Sequence, residues 1–95
     1  MATVRQQIID LLREEQLNAR DLSQTLSIME REVYSHLEHI EKSLVRQGKK
    51  MVVSPCSCLR CGYIFAHRKR LSKPGRCPQC KEGHISMAEF RVVKA

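Results

Sequence analysis

Apolar residues recur at helical spacing through the first half of the chain. Val4, Ile8, Leu11 and Leu12 share one face, and Thr3 followed three residues later by Gln6 makes a capping-box start, which predicts a first helix over 3–15. Asn18 offers a second N-cap, with Asp21 in the first turn and Ala19, Leu22 and Leu26 as the stripe of a short helix ending near Leu26. Ser27 and Glu30 form a further capping box. Beyond it Met29, Val33, Leu37, Ile40 and Leu44 hold one face as far as Gly48, a suitable C′ residue, so the spacing predicts a third helix over about 28–46.

Three helices with a break of two or three residues between the last two is the pattern of a helix-turn-helix, to which Lys49-Lys50-Met51-Val52-Val53 can add a strand as a wing. Short three-helix units also serve as dimerisation modules, so DNA binding and protein contact both stand open for this half. With Val33, Leu37, Ile40 and Leu44 turned inward, the outward positions of the third helix carry Glu30, Glu32, Glu38 and Glu41 against Arg31, Lys42 and Arg46. Carboxylates oppose approach to phosphates, even though Arg31, Ser35 and His36 could reach base edges. Either the groove-facing stripe is narrow or this half binds protein. His36 and His39 read as a solvated or DNA-facing pair rather than half a metal site.

In the second half the period changes. Tyr63-Ile64-Phe65-Ala66-His67 predicts a strand with Tyr63 and Phe65 on one face, and Ile85, Met87, Phe90 and Val92 predict a returning strand whose parity shifts near Ala88, as at a bulge. Flanking the first of these segments are Cys58-Leu59-Arg60-Cys61 and Cys77-Pro78-Gln79-Cys80, two C-x2-C pairs fifteen residues apart, within the range of a four-thiolate zinc site. Two intervening residues let a tight turn aim both sulfurs at one ion, and Gly62, Pro78 and Gly83 supply turn chemistry. The fifth thiol, Cys56, either replaces Cys58 in a C-x4-C spacing or stays free. The free thiol is favoured, because Cys58 and Cys61 reproduce the spacing of the second pair. Tyr63 and Phe65 are expected to pack over the cage, with stacking on bases as the alternative.

Ninety-five residues, 42% of them apolar and 28% charged, make one domain or two very small ones. That is enough to fold but too little for a large catalytic cleft, so no enzymatic activity is expected. No run approaches a membrane span, and Met1-Ala2-Thr3-Val4-Arg5 leads into polar sequence without an apolar signal core, so a cytoplasmic protein with no membrane partner is expected. There cysteines argue for metal before disulfides.

The net charge of +7 lies entirely in the second half: residues 1–50 hold 8 basic and 8 acidic side chains, and residues 51–95 hold 9 and 2. Four thiolates on one Zn²⁺ lower the total to about +5. The insert between the cysteine pairs holds five basic residues, Arg68, Lys69, Arg70, Lys73 and Arg76, with no acid among them. It is the natural polyanion contact, with a solvated loop made basic for solubility as the alternative. A closed four-sulfur site leaves no position to activate water, so the zinc is structural, and its removal is expected to unfold 56–92 and spare the helices.

The fold class expected is α+β: a three-helix, winged helix-turn-helix over 1–53 followed by a small antiparallel zinc ribbon over 54–95. The knuckles resemble those of rubredoxin, which holds one iron, but the short gap, the lack of Trp and the basic insert set this chain apart. The combination of Ala19-Arg20-Asp21-Leu22-Ser23, Val33-Tyr34-Ser35-His36-Leu37-Glu38-His39-Ile40, the Gly48-Lys49-Lys50 to Val53 link, Cys58-x2-Cys61-Gly62-Tyr63-Ile64-Phe65 and Arg76-Cys77-Pro78-x-Cys80 resembles another family. That family is the small archaeal and bacterial group of predicted transcriptional regulators that fuse a helix-turn-helix to a zinc ribbon. The resemblance implies zinc on Cys58, Cys61, Cys77 and Cys80 and DNA contact from the helical half.

The reading is a zinc-containing regulator that binds double-stranded DNA. Arg31 and Ser35 would meet the groove, and Lys49, Lys50, Arg68, Lys69, Arg70, Lys73 and Arg76 the phosphates. Its rivals are an adaptor that docks a protein on the acidic third helix and an RNA-associated ribbon. A homodimer is compatible with all three.

Overall fold

The computed structural model describes residues 3–66, 71 and 73–95. Three helices and a three-stranded antiparallel sheet follow one another as α1 (Val4–Glu14), β1 (Leu17–Asn18), α2 (Ala19–Leu26), α3 (Glu30–Arg46), β2 (Lys49–Ser54) and β3 (Glu89–Lys94). The architecture is α+β.

Local chemistry accounts for most helix ends. The Thr3 hydroxyl accepts from the Gln6 amide at 3.1 Å, while the Gln6 side chain donates to Asp10 at 3.0 Å instead of returning to the cap, so only half of the expected box forms. At α2 the box is complete: the Asp21 amide donates to the Asn18 side chain at 2.8 Å, and the Asn18 amide donates to the Asp21 carboxylate at 3.4 Å. The expected box at Ser27 and Glu30 does not form. Ser27 adopts a left-handed conformation (φ 56°) and closes α2, leaving Met29 as the N-cap of α3 without a side-chain cap. The chain must reverse within residues 27–29, and the backbone angle of that reversal takes Ser27 away from α3. Gly48, at φ +69°, follows the α3 C-cap as its position predicts.

β3 is the central strand. It pairs with β2 from Lys49↔Lys94 to Ser54↔Glu89, and with β1 through Leu17↔Phe90 and Asn18↔Glu89. The residues grouped by sequence with the cysteine pairs therefore divide between two settings. Ile85 bridges to Cys58, whereas Phe90 and Val92 lie fully or almost fully buried with Ile8, Leu12, Leu22, Leu37 and Leu44. The parity shift near Ala88 is the passage from one pairing to the other rather than a bulge in one strand. The strand expected over Tyr63–His67 is reduced to an isolated bridge, Ser57↔Ile64. In so short a loop the backbone groups are taken by the turns around the cysteines. His67 itself lies outside the described residues.

One core unites both parts, since Cys56, Ile85 and Ala88 join the helical cluster and Phe65, Leu71 and Met87 pack against it. Among the described residues no helix is long and apolar enough to cross a membrane.

Because Phe90 is fully buried on the central strand, Phe90→Ala is expected to lower stability by about 3–5 kcal/mol. Its signature is that helical circular dichroism and sheet order are lost in one denaturation transition. Helices that melted at the wild-type midpoint would show β3 to be dispensable to them.

Candidate metal centre

Residues 55–88, between β2 and β3, carry all five cysteines. The same turn is built twice. In the first, the Cys58 amide donates to the Tyr63 carbonyl at 2.7 Å and the Gly62 amide to the Cys58 carbonyl at 3.0 Å. In the second, the Cys77 amide donates to the Glu82 carbonyl at 2.9 Å and the Lys81 amide to the Cys77 carbonyl at 2.8 Å. Both turns need a positive φ at the fourth residue after their first cysteine: Gly62 adopts +81° and Lys81 +61°. Glycine takes this conformation without strain. Lysine does not, so nothing local in the sequence marks Lys81 as the counterpart of Gly62.

The turns bring the sulfurs of Cys58, Cys61, Cys77 and Cys80 within 4.8 Å of one another. Cys58 and Cys80 approach to 3.4 Å and Cys61 and Cys77 to 3.5 Å, far beyond a disulfide bond, and all are free thiols. A tetrahedral ion with metal–sulfur bonds of about 2.3 Å requires sulfur–sulfur edges of about 3.8 Å. The four sulfurs therefore fit one metal ion. Cys58 and Cys77 are buried, Cys80 is half-buried and Cys61 is exposed, so the cage opens to solvent on the Cys61 side. Cys56 is buried in the core and stands outside this sulfur cluster, which resolves the two spacings in favour of Cys58.

The backbone conditions the sulfurs unequally. Amides of Cys61 and Arg60 pull the Cys58 thiol down to about 6 against burial. At Cys77 burial pushes upward, but the amides of Cys80 and Gln79 and the sulfurs of Cys61 and Cys80 outweigh it, so its pKa lies below that of an ordinary thiol. The Glu82 backbone lowers Cys80, yet neighbouring sulfurs, Cys58 first, together with burial push it up to about 12. Cys61 is likewise raised: the Tyr63 backbone pulls it down, but burial and the sulfurs of Cys77 and Cys58 prevail. Four sulfurs packed this closely cannot all ionise without a cation among them.

A second layer holds the turns. The Leu59 amide donates to the His84 carbonyl at 2.8 Å, the Ser86 amide to the Ser57 carbonyl at 2.8 Å, and the Ser57 amide to the Ser86 hydroxyl at 2.9 Å. Tyr63 and Phe65 meet edge to face with centroids 5.0 Å apart, and Phe65 packs against the core.

Of the basic residues expected to meet a polyanion, Arg31, Lys50, Lys73 and Arg76 are exposed and Lys49 is half-buried, with Ser35 exposed on α3. Arg68, Lys69 and Arg70 lie outside the described residues. Lys73 and Met87 line a cleft of about 410 Å³ with Arg20, Glu30 and Tyr34, which sets the cysteine segment beside the first turns of α2 and α3. Burial, then Glu30 and Cys56, push the Tyr34 phenol up against a lowering backbone contact from Lys73. His36 accepts from the Arg5 guanidinium at 3.2 Å, and the metal-ligand cluster found among the described residues contains no histidine.

Helical geometry shows what a count of charges on α3 misses. At about 100° per residue, Arg31, Ser35, Lys42 and Arg46 fall within about 60° of one another, directly opposite the buried Val33, Leu37, Ile40 and Leu44. Glu38 borders that crest about 20° from Arg31, Glu30 and Glu41 lie further round on the same flank, and Glu32 stands about 40° beyond Arg46 on the other. Lys42 and Arg46 join the candidate surface by this spacing, and Arg20 only through the tertiary cleft.

The position of Phe90 and Val92 in the helical core revises the expected consequence of metal loss. When zinc is added and then withdrawn with a chelator, amide protection is expected to vanish over about 57–84 while the β2–β3 ladder stays protected. Amide hydrogen exchange by mass spectrometry reads both regions. Equal deprotection of β2 and β3 would mean that the metal holds the whole fold.

No curated protein matches the chain. Among solved structures, the solution NMR structure of protein PF0610 from Pyrococcus furiosus superimposes with a TM-score of 0.79 at 26% identity, covering 97% of this chain and 90% of that one. The family described as PF0610-like, N-terminal, matches residues 3–52, from the cap of α1 into β2. The chain therefore belongs to the PF0610-like family.

Proposed function

We propose that the chain is a zinc-containing, DNA-binding transcriptional regulator of the cytoplasm: a winged helix-turn-helix whose wing carries a four-cysteine zinc module. The observation that carries this reading is the crest of α3, where Arg31, Ser35, Lys42 and Arg46 form a basic and polar stripe opposite the buried face. A helix that fits the major groove needs such a stripe, because phosphates flank the base edges it reads. The flanking acids are offset in part, since Glu30 shares its cleft with Arg20 and Lys73.

Sheet topology supports the same reading. β2 and β3 would be the hairpin of that wing, with residues 55–88 joining them, and Lys73 of the joining segment lies beside the start of α3. Zinc on Cys58, Cys61, Cys77 and Cys80 would supply structure and no catalysis, for a closed four-sulfur site has no open coordination position. Arg68, Lys69, Arg70, Lys73 and Arg76 would then provide sequence-independent phosphate affinity, with Arg31 and Ser35 setting preference.

A second reading draws on the flank of α3 where exposed Val45 lies between Glu38 and Glu41. That combination suits a protein partner. The two differ in salt dependence, because each phosphate contact contributes about −0.9 to the slope of log K against log salt.

Fluorescence anisotropy of the zinc-loaded chain with mixed-sequence duplex and with single-stranded RNA, at low and physiological salt, separates them. Salt-steep preference for duplex is expected. Changing Arg68, Lys69 and Arg70 together to Ala should weaken every duplex and flatten the slope by about 2–3. Unchanged affinity and slope would make the basic loop a solvated surface, and absence of duplex binding at low salt would favour the protein partner.

A further inference from the structure

Three of the large apolar side chains left in water lie close together in sequence on the first cysteine turn: Leu59 is 68% exposed, Ile64 57% and Tyr63 37%. The run they belong to is anchored at both ends, since Cys58 is buried and Phe65 packs on the core. The backbone beneath them is pinned. The Leu59 amide donates to His84 at 2.8 Å, Ile64 bridges to Ser57, and Gly62 closes the turn. Leu59 and Ile64 are thus two aliphatic side chains projecting from a stiff support, with no part in the sulfur cage or the core.

Charge distinguishes the partners such a projection could meet. Among the described residues of 57–88 the charged side chains are Arg60, Lys73, Arg76 and Lys81 against Glu82. Burying the aliphatics in an apolar protein groove would draw Arg60, which sits beside Leu59 on the same turn, out of water without a counterion. The minor groove of a duplex offers the matching arrangement, with phosphates along both rims and stacked base faces between them, where Leu and Ile act as wedges in DNA-bending proteins.

We infer that the first cysteine turn is a minor-groove wedge: Leu59 and Ile64 enter a base step, part it and bend the duplex, while Arg60 holds a phosphate. The inference rests on the duplex-binding reading above. It implies a preference for pyrimidine–purine steps such as TpA, which unstack most readily.

The test uses the full zinc-loaded chain and end-labelled duplexes of about 30 base pairs with a central TpA or a G·C-rich step. Energy transfer between the ends reports bending, and anisotropy across a salt series reports affinity. A bend of about 20–90° is expected on the TpA duplex. Replacing Leu59→Ser and Ile64→Ser together should remove the bend and weaken TpA binding about tenfold while leaving the salt slope unchanged, since no phosphate contact is lost. Both positions are exposed, and the thiolate-to-cobalt absorption of the Co²⁺-loaded variant verifies an intact cage. Salt-dependent binding to unbent DNA overturns the wedge and leaves the duplex reading standing. A double variant that bends DNA like the wild type overturns the wedge in the same way. Failure to bind any duplex at low salt overturns the duplex reading itself, and the wedge with it.

Discussion

The pairing of β3 with two strands from distant parts of the chain is the constraint on which the rest of the structure depends. To bring Glu89 opposite Ser54, the chain must close a loop over 55–88, at an entropic cost of about 3 kcal/mol before any ladder contact forms. Phe90 and Val92 offset that cost once they reach the helical core, and the bridges Ser57↔Ile64 and Cys58↔Ile85 shorten the free loop from within. An ion across Cys58, Cys61, Cys77 and Cys80 would tie its two halves together. Ladder and cage therefore favour the same closed conformation, although only the ladder has a buried apolar face of its own.

This closure makes one molecule of two different kinds of stabilisation. The helices and sheet rest on apolar burial, with Ile8, Leu12, Leu22, Leu37, Leu44 and Phe90 fully excluded from water. The cysteine segment contributes little to that core, chiefly Cys56, Ile85 and Ala88, and depends on repeated backbone turns and on the chemistry of its sulfurs. A consequence is that the segment presents side chains on turns held by hydrogen bonds rather than by packing. Leu59, Ile64 and Arg60 can thus face outward from a stiff backbone. On the proposed reading, the apolar body positions α3 while the cysteine turns carry charge and apolar projections to the flanking DNA.

The proposed duplex surface joins residues that only the fold unites. Arg31, Ser35, Lys42 and Arg46 belong to one helix, and their alignment follows from its period. Arg20 and Lys73 come together because the cysteine segment folds back beside the starts of α2 and α3. The relation to PF0610 over nearly the whole chain, with only 26% identity, indicates that the fold survives extensive change in side chains.

The sequence by itself determined the elements whose signals are local: three helices and most of their ends, the strand after Gly48, and the four-sulfur set. Helical stripes, the Asn18–Asp21 box and the two C-x2-C turns are each readable within a few residues, because backbone bonding and side-chain reach decide them at short range. Tertiary structure alone decided that Ser27 ends α2 instead of starting α3, that Leu17–Asn18 forms a strand, and that residues 89–94 lie at the centre of the helical domain's sheet. None of these has a local signature. Ser27 suits either role until the reversal of the chain selects one, two residues make no periodic pattern, and Phe90 and Val92 alternate as they would in any half-buried strand. Which surface buries them depends on contacts spanning most of the chain, and those contacts arise only when the loop over 55–88 closes.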